Sequence, residues 1–308
     1  MRTTIRSTAA LVIATALLAG CAAGASPSPA DTPEPAGSPT AAADACTPEN
    51  LQTKTAGKLT IGTDNPAYPP YFLPREGGNT EPWDPDQGDP TSGLGFESAV
   101  AYAIAAQLGF GPEEVEWTVV PFANAFAPGP KDFDIDINQV SYKPERAENV
   151  DLSEGYYFGN QAVVVPEDSE FADATTITEL KDARLGAQVG TTSFDAIENV
   201  IQPNQEPRVY DTNDAAIEAL DIGELDGIVV DLPTAFFIIY VQTEGNTIVG
   251  QIGPEAGAEQ EYFSAVLEKD SPLTDCVNEA ILALREAGAT EALAEEWLDD
   301  STVPQLQP

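Results

Sequence analysis

Short runs rich in β-branched residues alternate with helical patterns along most of the chain, and this alternation constrains the fold more than any other feature. The predicted strands are 58–63, 115–121, 133–140, 161–165, 184–189, 226–231 and 262–267. The predicted helices are 96–108, 192–201, 213–222, 232–242 and 272–287. Strands that alternate with helices form α/β units. The sequence therefore predicts an α/β fold with mainly parallel sheets.

The net charge of the chain restricts which classes of molecule it can bind. The sequence has 13 Lys and Arg against 51 Asp and Glu, a net charge of −38. Because nucleic acids are bound through cationic patches, we expect no nucleic-acid partner. The chain contains no histidine, which excludes Ser-His-Asp triads, histidine bases and histidine-ligated metals. We expect no cofactor and no metal site. An enzyme with this sequence would have to use carboxylate or thiol groups for catalysis.

The first residues have the pattern of an export signal. Arg2 and Arg6 give a basic start to residues 1–20, and an apolar run follows at 9–19. The sequence Leu-Ala-Gly-Cys that ends at Cys21 resembles the bacterial lipobox, whose Cys receives a lipid. We predict a lipoprotein signal peptide at 1–20, lipidation of Cys21, and a location on the extracytoplasmic face of the cell membrane. A plain secretory signal is the alternative.

Residues 21–45 consist almost entirely of small residues, Pro and a few acids, and predict a disordered tether. The folded part is expected to start near Cys46. If Cys21 carries the lipid, Cys46 and Cys276 remain as an even pair in an oxidising compartment, which predicts a disulfide between them. Two separate buried thiols are the alternative.

The loop at 73–94 is rich in Gly, Pro and Asp and is too long for an ordinary connection, so we interpret it as an insertion and a candidate lid. Asp84, Asp86 and Asp89 are weakly similar to a calcium-binding loop, but Gly95 stands where that pattern requires Glu. A solvated acidic loop is the favoured interpretation.

Five segments in order carry a family resemblance: 57–72, 93–109, 134–153, 186–192 and 226–231. Together they resemble the amino-acid-binding solute-binding proteins of ABC importers, known as family 3 or type II periplasmic binding proteins. The resemblance implies a non-enzymatic, monomeric protein that holds a free amino acid between two lobes joined by two crossover strands and delivers it to an ABC permease. By that comparison lobe 1 covers 46–159 and 264–308, and lobe 2 covers 160–263.

Arg146 is the leading candidate for an anion-binding residue. Only three cations occur in residues 76–180: Lys131, Lys143 and Arg146. A guanidinium can meet a planar carboxylate with two parallel hydrogen bonds, and the resemblance implies that Arg146 binds the ligand α-carboxylate. The alternative is a surface salt bridge. Lys143 stands where the family usually has Thr, and it adds positive potential or points to water.

Two candidates fall on lobe 2. Thr192 precedes a helical pattern, so its hydroxyl and the free backbone N–H groups can face the same carboxylate; simple helix capping is the alternative. Asp231 ends the apolar run 228–230, where a buried strand reaches a cleft. The resemblance implies that it binds the ligand α-ammonium, and capping of the next helix is the competing interpretation.

Lobe 1 supplies the remaining candidates. Asp64 directly follows the predicted strand 58–63. The resemblance places Tyr68 and Phe122 in the polar and aromatic walls of the side-chain pocket, and Gln139 and Ser141 in the polar lining before Arg146. Each of the first three has a core or capping role as its alternative.

Three neighbouring residues receive weaker interpretations. Glu97 opens the helix 96–108, where an acid suits the helix dipole, and is interpreted as structural. Asn138 is a weaker candidate for the cleft. Asp136 occupies a position that is usually apolar in the family.

A ligand held by both lobes makes its full contacts only when they close, so binding and closure are expected to be one event. The acidic charge and Asp64 favour a polar, possibly basic, amino acid. Two alternatives remain open. One is an enzyme on the same fold, a dehydratase or lyase with Asp64 as proton donor. The other is a ligand-sensing lipoprotein without a transporter.

Overall fold

The computed structural model describes residues 45–254, 260–298 and 302–308. The predicted signal peptide 1–20, the lipidated Cys21 and nearly all of the tether 21–45 lie outside the described residues. Among the helices that are described, none combines the length and the apolar character needed to cross a bilayer. The same residues contain no cluster of three or more Cys, Asp or Glu arranged to hold a metal ion.

The described strands form two five-stranded sheets, with orders β2-β1-β3-β10-β4 and β7-β6-β8-β5-β9. In chain order the strands are Leu59–Thr63 (β1), Val115–Val119 (β2), Ile135–Asp136 (β3), Val150–Phe158 (β4), Gln161–Pro166 (β5), Leu185–Gln188 (β6), Arg208–Tyr210 (β7), Gly227–Asp231 (β8), Asn246–Ile252 (β9) and Tyr262–Glu268 (β10).

Helices cover the sheets. They are Phe96–Gln107 (α1), Phe122–Ala125 (α2), Pro144–Ala147 (α3), Thr192–Ala196 (α4), Asn213–Asp221 (α5), Leu232–Phe237 (α6), Thr274–Glu286 (α7) and Ala289–Trp297 (α8). Helix α4 continues as a π-helical turn at Ile197–Ile201, and α6 continues likewise at Ile238–Gln242. Short 3₁₀ turns lie at Pro90–Ser92, Pro112–Glu114 and Ile177–Leu180.

Each sheet belongs to one lobe, and two passages of the chain join the lobes. Strand β4 leads into β5, and β9 leads towards β10. The predicted parallel pairing holds for β1 with β2 and β3, and for β6 with β7 and β8. Strands β5 and β10 pair antiparallel with both neighbours because they enter their sheets from the other lobe. The two-lobed α/β fold is confirmed, and its sheets are mixed.

Apolar side chains fill the space between sheets and helices. In lobe 1, Leu59 and Ile61 of β1 pack with Val100 and Ile104 of α1, all with no exposed surface. Lobe 2 has a separate apolar cluster on each face of its sheet. The predicted Cys46–Cys276 disulfide is confirmed. It ties the start of the described chain to α7.

The strand predicted at 133–140 is much shorter in the structure. Only Ile135–Asp136 pairs as a strand, and Gln139 has a left-handed φ of 49°. The backbone N–H of Gln139 donates to the Glu97 carboxylate at 2.8 Å. The strand ends before Gln139 because the backbone N–H of Gln139 bonds to the buried carboxylate of Glu97 instead of to a neighbouring strand. Strands β4, β7 and β9 and helix α8 are further elements without a sequence prediction.

The end of the chain contradicts the predicted extent of lobe 1, which included all of 264–308. Residues 303–307 lie on lobe 2. The N–H of Leu306 donates to the carbonyl of Gln251 at 2.9 Å, and the N–H of Gln307 donates to that of Thr175 at 3.0 Å. Leu306 also packs into a lobe 2 core. The cause is that β9 is an edge strand, whose unpaired backbone groups accept another extended segment.

The insertion at 73–94 is folded against its neighbours, so the interpretation as a solvated acidic loop was wrong for Asp89. This carboxylate is fully buried and accepts backbone N–H bonds from Thr80 at 2.7 Å and Thr91 at 2.8 Å. Arg75 approaches it at 3.4 Å. These bonds hold the loop in one conformation.

Asp136 is a buried acid in an apolar setting. It has no exposed surface, and neither of its carboxylate oxygens has a hydrogen-bond partner among the described residues. Burial raises the pKa of Asp136 well above its usual value, and the charges of Glu97 and Asp64 add to the effect. Burial therefore favours the protonated form of this side chain at pH values where a free Asp side chain is ionised.

Asp136→Val is expected to stabilise the fold at pH 8 by about 1–3 kcal/mol, the cost of a buried polar group without a partner. The unfolded chain loses the Asp136 proton near pH 4, whereas the folded chain retains it, so the cost grows as pH rises above 4. Urea unfolding at pH 4 and pH 8 measures this difference. The exposed Asp132→Val is the control, and equal stability of the wild type and Asp136→Val at pH 8 would contradict the prediction.

Candidate functional site

A cleft of about 680 Å³, including its open mouth, lies between the lobes. All eight residues predicted to bind ligand line it: Asp64, Tyr68, Phe122, Gln139, Ser141, Arg146, Thr192 and Asp231. Asn138 lines it as well. The remaining lining residues were not predicted as ligand contacts from the sequence; they are Asn65, Pro66, Gln188, Thr191, Thr212 and Asn213.

The lining is built from strand ends. Asp64 follows β1, Gln188 ends β6, and Asp231 ends β8. In α/β sheets the crevice beyond the carboxyl ends of parallel strands is the usual place for a ligand, because several polar loops converge there. Gln188 at the end of β6 and Thr212 after β7 lie at such positions and could have been predicted by the same rule.

Arg146 is held rigidly at the base of the cleft, with 6% of its surface exposed. Its Nη1 donates to the carbonyl of Ser141 at 2.5 Å, and its Nη2 donates to that of Gly190, on the other lobe, at 2.8 Å. The guanidinium lies over the rings of Phe122 and Phe126, at 5.6 and 4.3 Å from their centroids. This packing fixes the direction of the charge.

None of the ion pairs formed within the described residues includes Arg146. The surface salt bridge considered from sequence was therefore wrong. Burial lowers the pKa of Arg146 to about 10, although nearby carboxylates, Asp195 foremost, oppose the shift. The group stays cationic at neutral pH, so the base of the cleft carries a buried positive charge with no bonded anion among these residues.

Thr192 faces the cleft. The capping role belongs to its neighbour, since Thr191 accepts a hydrogen bond from the N–H of Phe194 at 3.1 Å. The hydroxyl of Thr192 lies 3.3 Å from Ser141 Oγ, on the other lobe, and 3.2 Å from Gln161 Nε2.

Asp231 occupies the N-cap position of α6, but its carboxylate makes no capping hydrogen bond, so the capping interpretation was wrong. Its Oδ1 accepts a hydrogen bond from Gln161 Nε2 at 2.8 Å. Burial raises the pKa of Asp231 to about 8, with the charge of Glu261 as the next cause, against the hydrogen bond from Gln161. The side chain faces the cleft, and a cation bound there would favour its ionised form.

The opposite wall combines structural and cleft-lining roles. Asp64 accepts backbone N–H bonds from Asn65 at 2.7 Å and from Phe122 at 3.1 Å, so its capping alternative holds alongside its place in the cleft. Burial raises the pKa of Asp64 above its usual value. Tyr68 donates its hydroxyl proton to Asp214, on the other lobe, at 3.0 Å.

Gln139 lines the cleft, but its side-chain amide is bound to Glu97. Glu97 was interpreted as a dipole-compensating acid. It does lie in the first turn of α1, yet its side chain is buried and also accepts the hydroxyl of Tyr156 at 2.5 Å. Burial raises the pKa of Glu97 to about 7.

The two lobes contact each other across the cleft. Lys143 forms an ion pair with Asp195, which resolves the two roles left open for this lysine. The hydroxyls of Tyr71 and Thr234 lie 3.1 Å apart. Together with the contacts of Tyr68, Ser141 and Arg146, these bonds define a closed arrangement of the lobes.

The fold and the cleft agree with the family comparison. Residues 59–300 match the family described as bacterial extracellular solute-binding proteins, family 3. The match covers most of the chain, and the protein therefore belongs to this family, as the sequence motifs indicated.

Named relatives are amino-acid-binding proteins. The chain is 26% identical to the L-cystine-binding protein TcyJ of Escherichia coli K12, over 80% of this chain and 84% of that one. It is 24% identical to the arginine-binding extracellular protein ArtP of Bacillus subtilis, over 84% of this chain and 93% of that one.

Solved structures share the fold. The substrate-binding protein of an amino acid ABC transporter superposes with a TM-score of 0.59 at 26% identity, over 78% of this chain and 98% of that one. An ancestral amino-acid-binding protein, a precursor of cyclohexadienyl dehydratase, superposes with a TM-score of 0.61 at 24% identity, over 79% and 96% of the two chains.

Asp231 is expected to titrate near pH 8 in the protein without ligand. The unfolded chain loses this proton near pH 4. The contribution of Asp231 to the free energy of unfolding is therefore largest below pH 4, falls as pH rises towards 8, and is constant above. Carboxyl ¹³C NMR, assigned with Asp231→Asn, measures the titration, and the exposed Asp211→Asn is the control. A resonance of Asp231 that titrates near pH 4 would overturn the expectation.

Proposed function

We propose that the protein is a lipid-anchored, extracytoplasmic solute-binding protein that captures a polar, preferably basic, amino acid between its lobes and delivers it to an ABC permease. In this proposal lobe 1 consists of residues 46–159 and 264–298, and lobe 2 consists of residues 160–263 and the tail 303–307. It takes the protein as a monomer without a cofactor.

The proposal rests on two groups of opposite character on facing lobes, the buried Arg146 and the partly exposed Asp231. Arg146 offers a fixed cation without an ion-pair partner within the described chain, and Asp231 offers a carboxyl whose bonded partner there is the neutral Gln161. A free amino acid has a carboxylate and an ammonium on one carbon, so it can meet both groups at once. Because Arg146 lies on one lobe and Asp231 on the other, both contacts require closure.

The rest of the cleft favours a cationic or hydrogen-bond-donating side chain. Once Arg146 and Asp231 have bound the two charged ends, Asp64 remains in the lining as an additional acid. Tyr68 gives its proton to Asp214, so its oxygen presents lone pairs. A second carboxylate in the ligand would meet these acceptors without a cation to balance it.

The lipid anchor on Cys21 and the tether would keep the binding domain close to a membrane permease. The lipobox sequence supports the anchor, and the name of the related ABC transporter protein supports the permease. The extracellular description of the family agrees with the proposed location.

The enzyme alternative receives less support. Both oxygens of Asp64 already accept backbone N–H bonds, from Asn65 and Phe122, so this carboxyl is engaged in holding its own loop. The named relatives are binding proteins. We therefore assign no catalytic residue.

Thermal unfolding of residues 46–308 with L-arginine, L-lysine, L-glutamine, L-cystine or L-glutamate tests the ligand class. A bound amino acid at 100 times its dissociation constant should add about 2.7 kcal/mol of stability. We expect the largest shift with arginine or lysine and the smallest with glutamate. Tightest binding of glutamate would contradict the basic preference, and no shift with any amino acid would contradict the proposed function.

Arg146→Met is expected to weaken binding of the tightest-binding amino acid about a hundredfold, because the carboxylate of the ligand would then enter a buried site without a counter-charge. Calorimetric titration measures the loss. Arg208→Met is the matched control, since Arg208 is exposed and pairs with Glu224 on the surface. Undiminished affinity in Arg146→Met would refute the assigned role.

A further inference from the structure

The two passages between the lobes meet at one carboxylate. Glu261 immediately precedes β10 at the end of one passage, and Gln161 begins β5 at the end of the other. The Nε2 of Gln161 lies 3.1 Å from both carboxylate oxygens of Glu261. Gln161 is buried, with 3% of its surface exposed. A rotation of the lobes about these two passages therefore acts on the contact between Gln161 and Glu261.

The orientation of the Gln161 amide is fixed from its other end. Its Oε1 accepts the hydroxyl proton of Ser193 at 2.6 Å, so Nε2 must face the acids. Nε2 then donates to Asp231 at 2.8 Å and to Glu261 at 3.1 Å, and Thr192 Oγ1 lies beside them at 3.2 Å. One amide therefore links the acid that lines the cleft to the acid between the lobes.

Glu261 also determines what Ser141 offers to the cleft. Its Oε1 lies 2.6 Å from Ser141 Oγ. Ser141 is the donor in this hydrogen bond. The lone pairs of Ser141 Oγ then remain available beside Thr192. The Ser141 hydroxyl therefore faces the cleft as a hydrogen-bond acceptor, and an acceptor suits an ammonium group.

Glu261 does not line the ligand cleft. It lines a second cavity of about 610 Å³, including its open mouth, together with Gln161, Thr192 and Asp195. It therefore acts on a ligand through Gln161, Ser141 and its own charge.

Building on the proposed function, we propose that Glu261 is a positioning residue that orients Ser141 and Gln161 for the ligand ammonium and couples ammonium binding to the passages between the lobes. Two acids share one neutral amide at this point, and the arriving ammonium supplies the missing counter-charge. The same cation that completes the site thus stabilises the closed contact between the passages.

The charge of Glu261 sets the pH response of the site. The titratable or charged groups that face Asp231 are Glu261, Glu97, Arg146, Tyr71 and Tyr157. Among these, Glu261 is the largest electrostatic cause of the raised pKa of Asp231, after burial. Ligand binding needs Asp231 as a carboxylate, so affinity in the wild type should rise between pH 6 and pH 8. Removing the charge of Glu261 should move that rise to lower pH.

Glu261→Gln tests the assignment in calorimetric titrations at pH 6 and pH 8, with the tightest binder of the five amino acids named above. We expect affinity to fall about tenfold at pH 8, the size of one charge-assisted hydrogen bond, and by a smaller factor at pH 6. Glu261→Asp keeps the charge but shortens the reach, so it should lose affinity with a pH profile like that of the wild type. Glu206→Gln removes an exposed charge and is the control.

Affinities in Glu261→Gln that match Glu206→Gln, or that fall by one factor at both pH values, would overturn the assignment of Glu261. Circular dichroism confirms that each variant is folded, and Glu261→Asp still tests the contacts if Glu261→Gln does not fold. If the wild type binds none of the five amino acids, the proposed function fails and this assignment fails with it. Binding by the wild type with an unaffected Glu261→Gln refutes only the role of Glu261.

Discussion

The guanidinium of Arg146 is the group on which the arrangement of the site depends. Two backbone carbonyls from different lobes and two aromatic rings hold it in place, and none of the described acids pairs with it directly. A buried cation without a bonded anion is costly, and a fold retains it when another partner supplies the charge. That partner would be bound between the closed lobes, where Thr192 and the opposing Asp231 both face it.

Around this cation the protein arranges its acids in two layers. Asp64 and Asp231 line the cleft, whereas Glu97 and Asp136 are buried behind it. Burial raises the pKa of each of the four. A raised pKa favours the neutral form of a carboxyl, so these acids make the field near Arg146 less negative than the same acids would at the surface.

Local sequence patterns predicted much of the fold and the cleft, for physical reasons. A run such as Ile228 to Val230 needs burial on both faces, so it must be an interior strand, and the polar residue after it must reach an edge. That logic located Asp231 and Asp64. Contacts made far apart in the sequence left no such signal: the pairing of Glu261 with Gln161 depends on two chain passages lying side by side. The tail at 303–307 was missed because Leu306 is its main apolar anchor, and its neighbours have the pattern of a loop.

The tail has a consequence for how the molecule can be observed. Glu49 lies near the disulfide on lobe 1, and Gln307 lies on lobe 2, so the first and last stretches of the described chain are attached to different lobes. Both side chains are exposed. Fluorophores attached at these two positions would convert the separation of the lobes into an energy-transfer signal, which makes the protein a ready scaffold for a single-chain optical sensor.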